Sequence, residues 1–285
     1  MSRDTRPTVI VTGAAGGIGR QILEQLQARA RLIGIVQNAT QRQEIERLVE
    51  HAIECDLADH ASVRTVNGEL RSGVPQGIDG LILTAAIQPV GPLELVSRSD
   101  LERLFAVNVF GTMQLITGLL PSVRQKKGRI IVFSSMAGRV AAPILGAYNG
   151  SKFALEGLCD TLRRELSGTG VMVSLVEPGA VDTAMANSQS ELVEGLLARL
   201  DRDSEPLYSN LIRGYLGMAT AGLRHASTPE AVARIAVRAA IGPKRPAARY
   251  VVGTDAKLLI ALSRWLPTRW LDGLLLKAVL GNKTG

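Results

Sequence analysis

The stretch that most narrows what this chain can fold into is Thr8–Gly19. A β-branched run, Thr8 to Thr12 (TVIVT), passes directly into Gly13-Ala14-Ala15-Gly16-Gly17-Ile18-Gly19, after which Ile18, Ile22, Leu23 and Leu26 recur at three- and four-residue steps. The first pattern predicts a buried strand and the last an amphipathic helix. Glycines between them permit a tight turn and close approach of backbone to a ligand. The helix N-terminus adds unpaired N–H groups and a positive dipole end. A glycine loop can be an ordinary turn, but after the first strand of an α/β chain it points to a dinucleotide phosphate site.

The pattern repeats down the chain. Leu32 to Val36, Ile78 to Ala86, Arg129 to Ser134 (RIIVFS), Val171 to Glu177 and Arg249 to Val252 predict strands, with a further strand ending near Cys55. Helical stretches lie between them, notably Asp100 to Val123, Ala147 to Leu166 and Pro229 to Ile241. Strands alternating with helices predict an α/β, doubly wound parallel sheet of Rossmann-like type. A length of 285 residues suits one such domain, over residues 1–255, followed by a C-terminal apolar extension over 256–285. Within the domain, Val181 to Thr228 carries no strand and predicts a helical insertion.

Aromatic residues make up only 4% of the chain, which argues against a base-stacking nucleic-acid surface. The formal charge of +7 comes from Lys and Arg scattered along the sequence, the pattern of a solvated face, so no nucleic-acid partner is expected. Cys55 and Cys159 fall at a strand end and in a helix and are expected to be reduced, buried thiols, consistent with a cytoplasmic setting. The stretch Met1 to Thr8 is polar, so no signal peptide is expected, and no apolar run is read as long and uncharged enough to span a bilayer. His51, His60 and His225 lack metal-ligand spacing, and no metal site is expected.

Tyr148 and Lys152 stand four residues apart at the start of a predicted helix, so their side chains share a face. A free tyrosine, with a pKa of about 10, is a poor base near neutrality, and a neighbouring cation is expected to lower it. Ser135 lies thirteen residues before Tyr148, just after a predicted strand. A serine hydroxyl there can bond a substrate oxygen on which negative charge develops.

Together TGxxxGxG at Thr12–Gly19, Asn108 in Asn108-Val109-Phe110-Gly111, the Ser134-Ser135 pair, YxxxK at Tyr148–Lys152 and PGxxxT at Pro178–Thr183 resemble the short-chain dehydrogenase/reductase family. The resemblance covers about Val9 to Thr183. It implies an oxidoreductase that transfers hydride between NAD(P)(H) and a carbonyl or secondary alcohol. It implies Tyr148 as proton donor and acceptor, Lys152 as holder of the nicotinamide ribose and tuner of Tyr148, Ser135 as orienter of the oxygen, and Asn108 as support for proton exchange. It further implies a cofactor held by Gly13, Ala15, Gly17, Ile18 and Gly19, by Gln37, Asp56, Leu57 and Ala85, by Tyr148 and Lys152, and by Pro178, Gly179, Val181 and Thr183. Asp56 would meet the adenine, although a solvated turn is the alternative. One departure stands out: the family's NNAG is here Leu83-Thr84-Ala85-Ala86, which puts local packing and cofactor geometry in question.

At the end of the second strand a carboxylate would favour NAD and an arginine NADP. Gln37 and Asn38 are neither. With Arg20 and Arg42 near in sequence, the balance leans to NADP. The stretch Phe153 to Gly179 looks most like members acting on lipophilic alcohols such as retinol and steroids. Met185, Leu196, Leu197, Leu200, Leu211, Ile212, Leu216 and Met218 would form either an apolar substrate wall or a local helical core. The tail Lys257 to Leu280, with Trp265 and Trp270, suits packing on the body, a subunit contact in a homo-oligomer, or peripheral membrane contact. A nucleotide-binding scaffold that has lost turnover is the alternative to an enzyme.

Overall fold

The computed structural model describes residues 5–281. The first residues of the polar N-terminal stretch, 1–4, and the end of the extension, 282–285, lie outside them. In chain order the elements are β1 (Thr8–Thr12), α1 (Gly17–Leu26), β2 (Arg31–Val36), α2 (Ala39–Ile45), β3 (His51–Glu54), α3 (His60–Gly73), β4 (Gly80–Leu83) and α4 (Arg98–Phe105). A π-helical turn (Ala106–Gly111) joins α4 to α5 (Thr112–Lys126). There follow β5 (Arg129–Phe133), α6 (Gly146–Glu165), β6 (Met172–Pro178), α7 (Ala184–Asn187), α8 (Gln189–Leu197), α9 (Ser204–Leu223), α10 (Pro229–Ile241), β7 (Arg249–Val252), α11 (Thr254–Trp265) and α12 (Thr268–Leu280).

The strands form one sheet in the order β3-β2-β1-β4-β5-β6-β7, every neighbouring pair parallel. Side chains alternate across a strand, and helices cover both faces, so strand residues of both parities are apolar. Thus Ile10, Ile130 and Val132 pack with α3, α5 and α6 in one core, while Val9, Val11, Ile131 and Phe133 pack with α1 and α10 in the other. Cys55 and Cys159 are buried free thiols in the first of these cores. The chain reverses its direction of winding between β1 and β4. A parallel sheet opens a ligand crevice at such a point, beyond the carboxyl ends of its strands.

Three local expectations are revised. The predicted strand Ile78–Ala86 pairs only over Gly80–Leu83, because Thr84 and Ala85 turn back to bond the end of β1. The predicted single helix from Asp100 to Val123 is broken by the π turn. There Gly111 lies against the Leu57 carbonyl so closely that an added Cβ would sit 2.1 Å from its oxygen. Within the continuous run Arg98–Lys126 an 18-residue window, with mean hydropathy 1.5, is long and apolar enough to cross a bilayer, contrary to the expectation of no such run. Its apolarity belongs to the core: Leu115, Ile116, Leu119 and Val123 are fully buried against the sheet.

The insertion is helical as expected, built of α7, α8 and α9 and closed at its base by a parallel bridge between Val181 and Ser227. Seven of the eight apolar residues expected there join a satellite core with Ile144, Val193 and Tyr215, while Met185 stays exposed. The tail packs on the body through both of its helices: Ala256 and Ile260 of α11 are buried, and α12 lies against α9. Val279 of α12 is buried in that satellite core, and its carbonyl would meet a Cβ at Gly214 of α9 at 2.0 Å. The outer faces of α11 and α12 leave Trp265 86% and Trp270 72% exposed.

Candidate active site

The glycine loop leaves β1 at Gly13, whose φ of +61° is a left-handed conformation that disfavours side chains. The Gly16 N–H then donates to the Gly13 carbonyl at 2.9 Å. A Cβ at Gly19 would sit 2.1 Å from that same carbonyl oxygen, so only glycine lets α1 start this close to the strand it follows. No side chain caps α1, whose N-cap is Gly16. Its first N–H groups, flanked by half-buried Ala15 and Ile18, line a cradle of bare backbone suited to a pyrophosphate. Gly17 lies against the Thr183 methyl, 3.3 Å from where a Cβ would be, so the PGxxxT segment converges on the loop.

The departure at Leu83-Thr84-Ala85-Ala86 proves compatible with this cradle. The Thr84 hydroxyl donates to the Thr12 carbonyl at 2.6 Å, and the Ala85 N–H donates to the Thr12 hydroxyl at 3.3 Å. A threonine pair thus ties the ends of β1 and β4 together across the switch point. Asp56 accepts from the Ala58 N–H at 2.9 Å in a turn of its own, and Leu57 is buried beneath it. At the end of β2, Gln37 is exposed and its N–H donates to the Gln41 side chain at 2.9 Å, while Asn38 caps α2. Arg42 stands 3.6 Å from Glu54, which is paired with Val36 in the sheet; Arg20 is bonded to Glu24 on its own helix.

Beyond β5, Ser135 caps the short turn Met136–Gly138 by accepting from the Ala137 N–H at 3.1 Å. Tyr148 and Lys152 occupy the first turns of α6, both buried. Burial pushes the Tyr148 phenol up to about 12, and a hydrogen bond with Ser135 pulls against it. The Lys152 ammonium sits 5.6 Å from the Tyr148 ring centroid and donates to the Phe133 carbonyl at 2.8 Å. Burial lowers Lys152 to about 8. The expected lowering of Tyr148 by its cationic neighbour is therefore corrected: in this setting the loss of solvation outweighs it, and Lys152 points its charge at the strand carbonyl.

Asn108 is completely buried in the π turn. Its carbonyl accepts from the Ile87 N–H at 2.9 Å, and its amide donates to the Ile87 carbonyl at 2.9 Å and to Ser151 at 3.1 Å. The extra residue of a π turn swings one side chain out of helical register, here toward α6. The three segments carrying Ser135, Tyr148–Lys152 and Asn108 are thereby brought together at the carboxyl edge of the sheet.

Several contributors carry no local sequence signal. Asp255, at the start of α11, accepts from the Ala180 N–H at 2.8 Å and fills the space beside Gly179, where a Cβ would lie 2.2 Å from its carboxylate. Tyr215 of α9 is buried beside Tyr148, hydrogen-bonded to Gln189 and Gln88, and raised to about 12 by burial and then by Tyr148. Glu177, the residue before Pro178, is fully buried between Arg139 and Arg249.

A parallel sheet with a bare glycine cradle at its switch point, beside half-buried Ser135 and buried Tyr148 and Lys152, defines a nucleotide-dependent oxidoreductase class. Residues 7–193 match the family model for short chain dehydrogenase. Over 283 residues the chain is 32% identical to retinol dehydrogenase 5 from Homo sapiens, covering 95% of this chain and 87% of the relative. It is 31% identical over 278 residues to NADPH-dependent 3-dehydrocapnine reductase from Ornithobacterium rhinotracheale, covering 94% and 95%. The fold also matches the crystal structure of a short-chain dehydrogenase from Streptomyces avermitilis with a TM-score of 0.74 at 24% identity, covering 96% and 93%. The chain belongs to the short-chain dehydrogenase family and is an NAD(P)-dependent oxidoreductase of alcohol and carbonyl groups.

Proposed function

We propose that this oxidoreductase interconverts a ketone or aldehyde and the corresponding alcohol on a small lipophilic molecule, with NADP(H) favoured over NAD(H). The observation that carries the assignment is the buried Tyr148 phenol, beside Ser135 and one helical turn from the buried Lys152. A bound dinucleotide supplies or accepts the hydride at its nicotinamide ring. Gly13, Ala15, Gly17, Ile18 and Gly19 would hold its pyrophosphate; Asp56, Leu57 and Ala85 its adenosine; and Pro178, Gly179, Val181 and Thr183 its nicotinamide amide.

At about 12 the Tyr148 phenol keeps its proton through the neutral range and gives it to the carbonyl oxygen, which suits the reducing direction. The Ser135 hydroxyl orients that oxygen and bonds the charge that develops on it. Lys152 would hold the ribose hydroxyls and steady the Tyr148 oxygen once its proton has left. Asn108 pins Ile87 to α6 and supports exchange of that proton with solvent.

Two observations favour a lipophilic substrate. The insertion over the site is built on an apolar cluster that reaches Ile144 and Leu145 just before Tyr148. The similarity to retinol dehydrogenase 5 also spans almost the whole chain. The test is nicotinamide absorbance with NADPH and NADH against retinaldehyde, a keto-steroid, a long-chain aldehyde and pyruvate. Turnover is expected on the lipophilic carbonyls. Saturable cofactor binding without turnover on any of them, or preference for pyruvate, overturns the assignment.

For the cofactor, no carboxylate occupies Gln37 or Asn38, and the Arg42–Glu54 pair is exposed and therefore cheap to rearrange toward a phosphate. Arg42→Ala is expected to weaken NADPH about tenfold, within the worth of a charge-assisted hydrogen bond, and to leave NADH unchanged. Titration of protein fluorescence with each cofactor checks this.

We further propose that the outer face of the tail rests on a lipid surface. Trp265, Trp270 and Leu258 are exposed there among Lys257, Arg264, Arg269 and Lys277, with Asp272 the acid among them. The double substitution of Trp265 and Trp270 by Ala is expected to abolish co-sedimentation with anionic phosphatidylserine vesicles. A variant that loses self-association instead would assign the face to a second copy of the chain.

A further inference from the structure

Behind the reacting side chains lies a buried cluster of charges that takes no proton or hydride in the chemistry above. Glu177 of β6, fully buried, is paired with Arg139 at 3.2 Å and with Arg249 of β7 at 2.9 Å. Arg249 also reaches Glu156 and Asp160 of α6, each at 2.9 Å. The segments that carry Ser135, Lys152 and Pro178 each contribute to the cluster. Arg139 follows Ser135 by four residues, Glu156 follows Lys152 by four, and Glu177 precedes Pro178. The turn Met136–Gly138 is pressed onto α6 at the same place. A Cβ at Gly138 would lie 2.6 Å from the Ser134 hydroxyl, 3.0 Å from the Lys152 carbonyl and 3.2 Å from Glu156.

Apolar side chains of equal volume would hold three segments together at least as well as desolvated charges do. The charges therefore call for an electrostatic reason, and Glu156 supplies it. It sits one helical turn beyond Lys152 on the buried face of α6, with Oε1 lacking a hydrogen-bond partner among the described residues. The groups that face Lys152 are Tyr148, Glu156 and Cys159 from α6, with Arg139, Glu177 of β6 and Arg249 of β7 behind them; Asn108 and the Phe133 carbonyl are polar but do not titrate. Burial lowers Lys152, and Cys159 and Glu156 oppose it. Burial holds the Cys159 thiol up at about 12, so it is neutral where Lys152 titrates. Glu156, ion-paired with Arg249 at 2.9 Å, is the carboxyl group one helical turn from Lys152.

We propose that Glu156, clamped by Arg249, is a positioning residue that keeps Lys152 protonated and aligned, and that the Arg139–Glu177–Arg249–Glu156 cluster sets the alkaline limit of the reaction. This rests on the assigned role of Lys152. Since Lys152 must carry its proton, activity falls as pH rises through the Lys152 value. Removing the Glu156 charge moves that limb to lower pH. Removing the Arg139 charge, on the other side of the cluster, moves it to higher pH.

The experiment follows Lys152 by NMR of the full chain labelled at lysine Cε, assigned by its loss in Lys152→Met, together with the pH profile of kcat. Glu156→Gln is expected to lower both the Lys152 titration and the alkaline limb by about one pH unit, and Glu156→Asp to restore them. Arg139→Gln is expected to raise both, and because Arg139 is partly exposed it tests the assignment even where Glu156→Gln fails to fold. A Lys152 titration that stays put in the folded variants, or moves the same way in both, overturns the proposal. Turnover undiminished in Lys152→Met would instead overturn the role of Lys152 itself.

Discussion

Replacing Tyr148 by Phe is expected to cost about three orders of magnitude in kcat, within the range of a lost general acid, while cofactor affinity and folding change little. The ring is buried in the first turns of α6, and Phe keeps its volume and packing. What is lost is the hydroxyl beside Ser135, worth about 1 kcal/mol to stability. A structural role for Tyr148 predicts the opposite pattern, with a lowered melting temperature and modest loss of rate. Steady-state rates on the lipophilic carbonyls, fluorescence titration with NADPH and a thermal melt on one preparation separate the two. Rates within tenfold of the parent enzyme would sink the mechanism.

The second large effect is expected at Gly19. Substitution by Ala puts a methyl 2.1 Å from the Gly13 carbonyl oxygen and 3.0 Å from the Ala14 Cα. Both obstacles are backbone of the turn that leaves β1, so no side-chain movement relieves them. The helix must lift from the strand, which is expected to cost about 3 kcal/mol as an overpacked core and to cut cofactor affinity by about a hundredfold or more, as the cradle loses its geometry. Gly157→Ala is the matched control. Gly157 lies mid-helix in α6 with open space around its Cβ position, so Ala there is expected to stabilise by about 0.5–1 kcal/mol. Denaturant melts and NADPH titrations of both variants check the contrast. Equal effects at the two glycines would refute the close-approach account of Gly19.

Much of the architecture was legible in the chain because it is written in local periodicity. The β-branched run, the glycine loop and the helical recurrence after it appear as β1, its turn and α1. The four-residue spacing of Tyr148 and Lys152 puts both on the buried face of α6, since helical geometry alone decides it. The misread boundaries have long-range causes. β4 stops at Leu83 because Thr84 finds its partner in Thr12, seventy-two residues earlier. The helix through Asn108 breaks because Gly111 packs on Leu57, from a different strand connection.

By itself, then, the sequence determined the doubly wound sheet, the glycine turn after its first strand and the short spacings that make Ser135, Tyr148 and Lys152 the candidate set, all of which depend on residue type at short spacing. Only the tertiary structure decided the electrical state of that set. Burial raises Tyr148 and lowers Lys152, the reverse of what two neighbouring side chains in water would do. The charges that answer it, Glu156 and Glu177 gathered by Arg249, come from elements up to ninety-three residues apart. Solvation and distant charge are properties of the folded interior, and no window of sequence contains them.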